Sequence, residues 1–294
     1  MAELDGAAGA EHHWLSLVAT LRFSVHMIRT AAILARGLGT RMRRADETAS
    51  LDASQAAAAE TGMKGMIPIK RPFLDYLISA LADAGIEEVV LVIGPEHTGV
   101  QRYFTAESPP TRVRMRFAIQ HEPLGTANAV VAAAEVIGEA PFLVLNADNY
   151  YPIAAYTALA AEEQAGVVAF DRDALVRDGN IDAERVRAFA VLEIVDGQLQ
   201  GIIEKPGASL DLSSPAARWV GMNVWAITPP LVDACRRVPV SVRGEFELPE
   251  AVALAIREGV PVRALPMAAG VLDLSRRSDI AAVTARLASI DPIP

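Results

Sequence analysis

An apolar run, "AAILA", breaks at Gly37-Leu38-Gly39 and resumes with Thr40 and Arg41. The backbone N–H groups of a tight glycine turn can approach a phosphate closely, because no side chain stands in the way. A dinucleotide-binding loop of the G-x-G-x-x-G kind closes on a third glycine and carries an acid about 20 residues later for a ribose. Here the third position is Met42. A P-loop needs G-K-[ST], which is also absent. What remains is a glycine turn followed by a fixed cation, an arrangement suited to a triphosphate that must be held and then broken. A second chemical feature is "PFLVLNAD", a buried-strand pattern that ends in an acid, Asp148. Ligands of open α/β sheets bind at that end of the strands. His12, His13, His26, His97 and His121 show no metal-ligand spacing, and the lone Cys235 allows neither an intramolecular disulfide nor a cysteine zinc site.

Composition narrows the partners. The 294 residues are 52% hydrophobic and carry a formal charge of −9, with a sequence pI near 5.1. No basic stripe is offered to a phosphate backbone, so neither nucleic acid nor an anionic membrane is expected as a partner. An anionic substrate must be met by a few placed cations. Cysteine usage points to the cytoplasm. The stretch "WLSLVATLRFSVHMI" looks briefly like a secretory core, but Glu3, Asp5 and Glu11 precede it, Arg22 interrupts it, and it is too short to span a bilayer. Met27 stands just before "IRTAAIL", so residues 1–26 read as a poorly ordered extension or an upstream start, with the domain at 27–294.

The elements that must position these residues alternate between two periods. "TAAILA" reads as a strand. "RPFLDYLISALADAG" reads as a helix with Pro72 near its start, Phe73, Leu77, Ala80 and Leu81 on one face, and Gly85 at its stop. "EEVVLVIG" is a buried strand, and "VRMRFAIQ" alternates Val113, Met115, Phe117 and Ile119 against other residues as a half-buried strand does. A helix over "GTANAVVAAAEVIG" and the strand ending in Asp148 follow. This order predicts a mostly parallel sheet covered by helices. Further on, "RAFAVLEIVDGQLQGIIEKP" predicts a hairpin turning at Asp196-Gly197, "WVGMNVWAITP" a strand, and 245–258 and 275–288 helices. The segment "ADETASLDASQAAAAETG" is Ala- and acid-rich without a stable apolar face. It has too little apolar surface to offset the entropy of ordering it, and is expected to be mobile until a bound triphosphate orders it as a lid.

With these residues in place, the chain resembles the sugar-1-phosphate nucleotidylyltransferases. "LARGLGTRM" is similar to that family's L-A-x-G-x-G-T-R signature, and "MKGMIPI" to its P-K-x-L-L-P element. "QHEPLGTANAV" is similar to its base-recognition segment, "LVLNADNYY" to its strand ending in G-D, "IIEKP" to its E-K-P, "GMNVWAI" to its N-x-G-[IVL]-[YW] strand, and "VLDLSRRSDI" to its late metal-binding stretch. The resemblance covers about residues 28–285. It implies a Rossmann-like three-layer α/β sandwich with a mostly parallel mixed sheet, and the reaction of an NTP with a sugar 1-phosphate to give an NDP-sugar and pyrophosphate. The same resemblance implies Arg41 and Lys64 as catalytic cations. It implies Leu34, Gly37, Gly39, Thr40, Gln120, Gly125 and Thr126 around the nucleotide, and Glu204, Lys205 and Asn223 at the sugar phosphate. Mg²⁺ would be held by Asp148 and Asp273. The expected partners are the two substrates, with a homo-oligomer left open.

The chemistry agrees with those roles. In-line attack on an α-phosphorus brings two anions together and expels pyrophosphate, so positioning and charge neutralisation dominate and no covalent nucleophile is required. A glutamine amide presents a donor and an acceptor together, which matches the N3–H and O4 edge of uracil or thymine. UTP or dTTP is therefore favoured. The alternatives are a mannose- or heptose-1-phosphate guanylyltransferase, since "EPLGTA" also resembles those enzymes, and a catalytically silent regulatory subunit that binds nucleotide sugars. Some positions depart from the family pattern. The spacing from Arg41 to Lys64 is roughly double, Met63 replaces a proline, Ala190 stands where a glycine usually meets the sugar, and "DLSRRSD" lacks the glycine-threonine pair.

Overall fold

A computed structural model describes residues 27–46 and 49–294. The extension read at 1–26 lies outside the described residues. In chain order the elements are β1 (Thr30–Leu34), the one-turn helix α1 (Thr40–Arg43), α2 (Ala53–Thr61), α3 (Phe73–Asp83), β2 (Glu88–Ile93), and α4 (Thr98–Arg102), which runs into a π-helical turn over Tyr103–Glu107. They continue with β3 (Arg114–Ile119), α5 (Thr126–Ile137), β4 (Phe142–Asn146), the two-residue β5 (Asn149–Tyr150), α6 (Ile153–Ala160), β6 (Ala165–Asp171) and α7 (Arg172–Asp178). The second half holds β7 (Ala190–Val195), β8 (Gln198–Ile203), β9 (Trp219–Ile227), α8 (Pro229–Arg237), α9 (Leu248–Arg257), β10 (Val262–Met267), β11 (Leu272–Asp273) and α10 (Asp279–Leu287).

Nine of the strands form one sheet in the order β3-β2-β1-β4-β9-β6-β10-β8-β7. β1 runs parallel to β2 and β4, β2 to β3, and β6 to β10, while β9 is antiparallel to both β4 and β6. The helical crossovers between β1 and β4 explain this, since a strand that returns through a helix lies parallel to its predecessor. The sheet is covered on both faces. Ala31, Ile33, Leu91 and Leu145 point into one apolar cluster with α3, α6 and α10, and Ala32, Val90, Val92 and Val144 into another with α5, α8 and α9. Burial on both faces is why these strands read as continuous apolar runs rather than alternating ones.

The hairpin turns where the sequence predicts it. Asp196 (φ 50°) and Gly197 (φ 74°) are both left-handed, as a two-residue turn that matches strand twist requires. The edge strand β3 departs from its predicted alternation. Val113 is buried, but Ile119 is exposed while Ala118 and Gln120 beside it are buried. Ala118 packs against the face carrying α5.

The Ala-rich segment is also more structured than its composition suggests. Asp52 caps α2 by accepting from the Gln55 backbone, and Gln55 reaches back to the Asp52 N–H, a reciprocal capping box. Gln55 and Ala59, one turn apart, are the residues α2 buries. Two inward positions suffice because Gln55 Nε2 also donates to the Pro68 carbonyl at 3.1 Å.

Candidate active site

The carboxyl ends of β1, β3 and β4 open into one cleft of about 240 Å³. Leu34, Arg36, Gly37 and Gly39 line it from the first loop, Met63 and Lys64 from the next, Gln120, Gly125 and Thr126 from the third, and Asp148 from the turn after β4. The loops meet through glycines. A Cβ on Gly39, where φ is 61°, would lie 2.2 Å from the Gly62 carbonyl oxygen. That contact places the glycine turn against the residues leading to Lys64, closing the sequence gap that the Ala-rich segment opens.

Lys64 Nζ donates to Asp148 Oδ2 at 2.7 Å. Both side chains are largely withdrawn from solvent, at 16% and 19% exposure, so the pair is a preassembled cation and carboxylate inside the cleft. Asp273 comes from far along the chain. The β5–β11 ladder sets it opposite Asn149, and the Leu274 N–H donates to the Asp148 carbonyl at 2.8 Å. Asp273 Oδ1 accepts from Asn149 Nδ2 and Ser275 Oγ, both at 2.9 Å, and Oδ2 accepts from Arg185. Burial, reinforced by the charge of Asp148, pushes the Asp273 carboxyl up to about 6, against the opposing charge of Arg185.

Two carboxylates close enough for the charge of one to raise the other could together hold a hard divalent cation. Mg²⁺ takes one or two carboxylates and completes its shell with substrate phosphates and water. Among the described residues no group of three or more His, Cys, Asp or Glu gathers as a metal cage.

The polar groups at the β3 end of the cleft are more committed than their types suggest. Gln120 is 4% exposed, and its Nε2 donates to the Gly125 carbonyl at 3.0 Å and to Asn128 Oδ1 at 2.8 Å. Both amide hydrogens are thus in use, and what Gln120 has left to offer is its acceptor, Oε1. The expectation of a donor and acceptor from this one amide is corrected on that ground. Gly125 (φ 107°) leaves room for Phe246, whose carbonyl would sit 2.5 Å from an added Cβ. Thr126 Oγ1 accepts from the Leu248 N–H at 2.8 Å, so both residues also hold α9 in place.

The remaining predicted residues do not line this cleft. Thr40 and Arg41 are exposed on α1. Glu204 and Lys205 follow β8, where Lys205 Nζ lies 3.1 Å from Glu204 Oε1. Lys205 (φ 46°) and Asn223 (φ 56°) are left-handed without being glycine, a costly state that a folded scaffold must impose. Asn223 sits where the β6–β9 register shifts, and such a bulge re-aims a side chain. Ala190 is buried at the start of β7, opposite Gly221.

Four arginines escape sequence reasoning. Arg185 clamps Asp273 and Asp279. Arg277 Nε donates to the Met42 carbonyl at 2.9 Å and so caps α1. Arg243 lies 3.7 Å from Glu204 Oε1, in the loop whose Glu245 reaches the cleft. Arg36 lies inside the cleft wall itself. Arg36 stood within a quoted motif at its variable position, and Arg277 within "VLDLSRRSDI"; Arg185 and Arg243 carry no local pattern.

A three-layer α/β sandwich with a glycine loop, a lysine–aspartate pair and a buried glutamine around one cleft at its strand ends defines a nucleotide-handling class of fold. The sequence pattern of the nucleotidyl transferase family matches residues 59–264; the chain belongs to that family. It is 27% identical over 252 residues to the UTP–glucose-1-phosphate uridylyltransferase AglF of Haloferax volcanii, covering 85% of this chain and 92% of that one. It is 28% identical over 243 residues to a glucose-1-phosphate thymidylyltransferase of Streptomyces griseus, covering 79% of this chain but 59% of that longer one. The UTP-bound UGPase from Acinetobacter baumannii shares the fold with a TM-score of 0.68 at 19% identity, covering 90% of this chain and 96% of that one.

Proposed function

We propose that this chain joins a nucleoside triphosphate, UTP or dTTP, to a hexose 1-phosphate, releasing pyrophosphate. The observation that carries the reading is the cleft in which the glycine turn, the Lys64–Asp148 pair and Gln120 share one wall. The turn's N–H groups bind the triphosphate, Gln120 Oε1 accepts the base imino N–H, and Lys64 is shared between Asp148 and the reacting phosphate. Arg41, exposed on α1, follows the leaving pyrophosphate. Lys205 and Arg243, both beside Glu204, receive the sugar phosphate, and Asn223 orients the sugar. Asp148 and Asp273 would hold Mg²⁺, which when bound neutralises charge on the phosphates. The attacking phosphate is already an anion, so no general base is needed and the protein's task is alignment and charge.

A matrix of five NTPs against sugar 1-phosphates, read by pyrophosphate release, tests this. Turnover with UTP or dTTP and a hexose 1-phosphate is expected. Gln120→Ala should raise the KM for NTP about tenfold and leave that for the sugar phosphate nearly unchanged. A preference for GTP would favour the guanylyltransferase alternative, and binding of nucleotide sugar without turnover would favour the silent regulatory one.

A further inference from the structure

The glycine turn runs into α1, a helix of a single turn. Its Arg43 N–H donates to the Gly39 carbonyl at 2.9 Å, and Gly39 (φ 61°) starts it without a side-chain cap. One helical turn fixes several dihedrals for little hydrogen-bond return, so it does not hold its shape unaided. Arg41 stands in the middle of it, exposed. The direction in which this cation points must be fixed from outside α1.

Three contacts do so. Met42, fully buried, anchors one side of the turn in the apolar cluster that includes α3. Arg43 donates to the Thr61 carbonyl at the end of α2, through Nε at 3.2 Å and a terminal nitrogen at 2.8 Å. Arg277 donates from Nε to the Met42 carbonyl at 2.9 Å and from a terminal nitrogen to the Arg43 carbonyl at 3.4 Å. These carbonyls are among those a helix end leaves without an internal partner, and a guanidinium suits both their lone pairs and the negative end of the helix. Arg277 is held in turn. Its loop is closed by Asp279, which accepts from the Ser275 and Arg276 N–H groups and is gripped by Arg185, and Ser275 Oγ ties the same loop to Asp273. Two departures from the family pattern therefore meet at α1. The long segment between Arg41 and Lys64 supplies Thr61, and the stretch that lacks the glycine-threonine pair supplies Arg277.

We propose that Arg277 is a positioning residue for the triphosphate: by holding the last carbonyls of α1 from the loop between β11 and α10, it aims Arg41 at the two phosphates that leave as pyrophosphate. The inference rests on the proposed nucleotide reading of the cleft and adds the residue through which Arg41 is placed. Its effect is confined to the pyrophosphate half of the nucleotide, since the base and the sugar meet other loops.

Equilibrium binding of UTP and of UDP-glucose to the full chain with Mg²⁺ tests it without requiring turnover, with dTTP and dTDP-glucose in their place if thymine is the base bound. Both ligands fill the nucleotide part of the cleft, and only the triphosphate carries a pyrophosphate to be held. Arg277→Met should weaken UTP about tenfold and UDP-glucose less than about twofold, the size of one lost hydrogen bond to a charged group. Arg277→Lys should weaken UTP about threefold, since an ammonium lacks the planar fork that spans two carbonyls. Arg41→Met should weaken UTP at least as much as Arg277→Met. The double variant should be no worse than Arg41→Met alone, because residues that act as one unit are not additive. If Arg277→Met fails to fold, Arg277→Lys takes its place in the cycle, and its loss should vanish in the Arg41→Met background. Losses that multiply in the double variant, or UTP binding unchanged by either substitution at Arg277, would overturn the inference. Equal weakening of UTP and UDP-glucose would also overturn it, since Arg277 would then serve the fold alone. If the wild type binds neither pair of ligands, the nucleotide reading falls and the inference with it.

Discussion

At the scale of single residues, the site is governed by how many lone pairs and protons each group has left. Asp148 gives one oxygen to Lys64, while Asp273 is held from three sides by Asn149, Ser275 and Arg185. The two acids therefore differ in freedom: Asp148 lines the cleft, and Asp273 is buried behind it. Asp148→Asn and Asp273→Asn should each lower Mg²⁺-dependent pyrophosphate release by at least about 100-fold, a size usual for lost electrostatic groups. Turnover insensitive to EDTA, or full activity in both variants, would remove the metal from this site. The raised Asp273 carboxyl adds a pH signature. A metal ligand must be ionised, so Mn²⁺ affinity of the free protein, followed by electron paramagnetic resonance, should weaken as pH falls through about 6. Its stability contribution has the opposite sense: the folded state holds this proton more tightly than the unfolded chain, so the contribution is full below about 4 and is lost as pH rises through about 6.

Between residues and fold stand the elements, and two of them decide how the site is held. The first is the buried ion cluster that fixes β11 and the start of α10. Arg185 is bidentate to Asp279, at 2.6 and 2.9 Å, and also binds Asp273. Asp279 in turn accepts from the Ser275 and Arg276 backbone N–H groups at 3.0 and 2.8 Å. Removing one partner of a buried pair leaves an uncompensated charge, which costs about 3–5 kcal/mol. Arg185→Met should lower the melting temperature by several degrees, and Arg185→Lys by less; a melt unchanged in the Met variant would mean the cluster bears no stability. The second element is α2. Its cap is worth about 1 kcal/mol, it buries little, and its C-terminal glycine touches the glycine turn at Gly39. Hydrogen exchange over Ala53–Thr61 should slow when NTP and Mg²⁺ are added, because triphosphate would tie the two loops together. Equal exchange in both states would leave α2 a spacer.

The whole molecule contributes burial on both faces of a long sheet. Among the described residues, no helix is long and apolar enough to cross a membrane. Cys235 lies on the buried face of α8 at 4% exposure, and burial pushes its thiol up to about 12. The folded state then keeps a proton that the unfolded chain loses near 9. Stability from this group is present below that value and is lost as pH rises toward 12. The folded protein at pH 8 should therefore resist iodoacetamide, and the urea-unfolded chain should react. Labelling of Cys235 in the native state at the unfolded rate would contradict this packing.

The sequence by itself determined the alternation of strands and helices, the Asp196-Gly197 turn, the glycine loop and the acid after β4. Each of these is local: apolar period, left-handed φ or a strand end can be read within a dozen residues or so. The family pattern then ordered the candidates. Alternation failed at Ile119, and composition misjudged α2, because neighbours outside the window decide which side of an edge strand is covered and whether two buried residues are enough to seat a helix. Only the tertiary structure decided how the polar groups are spent. The long-range ladder between β5 and β11 brings Asp273 to Asp148, Arg185 reaches it from a segment with no motif, and Arg36 spans three strand ends through the gap at Gly94. Those partnerships depend on which groups remain unpaired once the sheet has formed, and hydrogen-bond supply is a property of the packed site rather than of any residue's type.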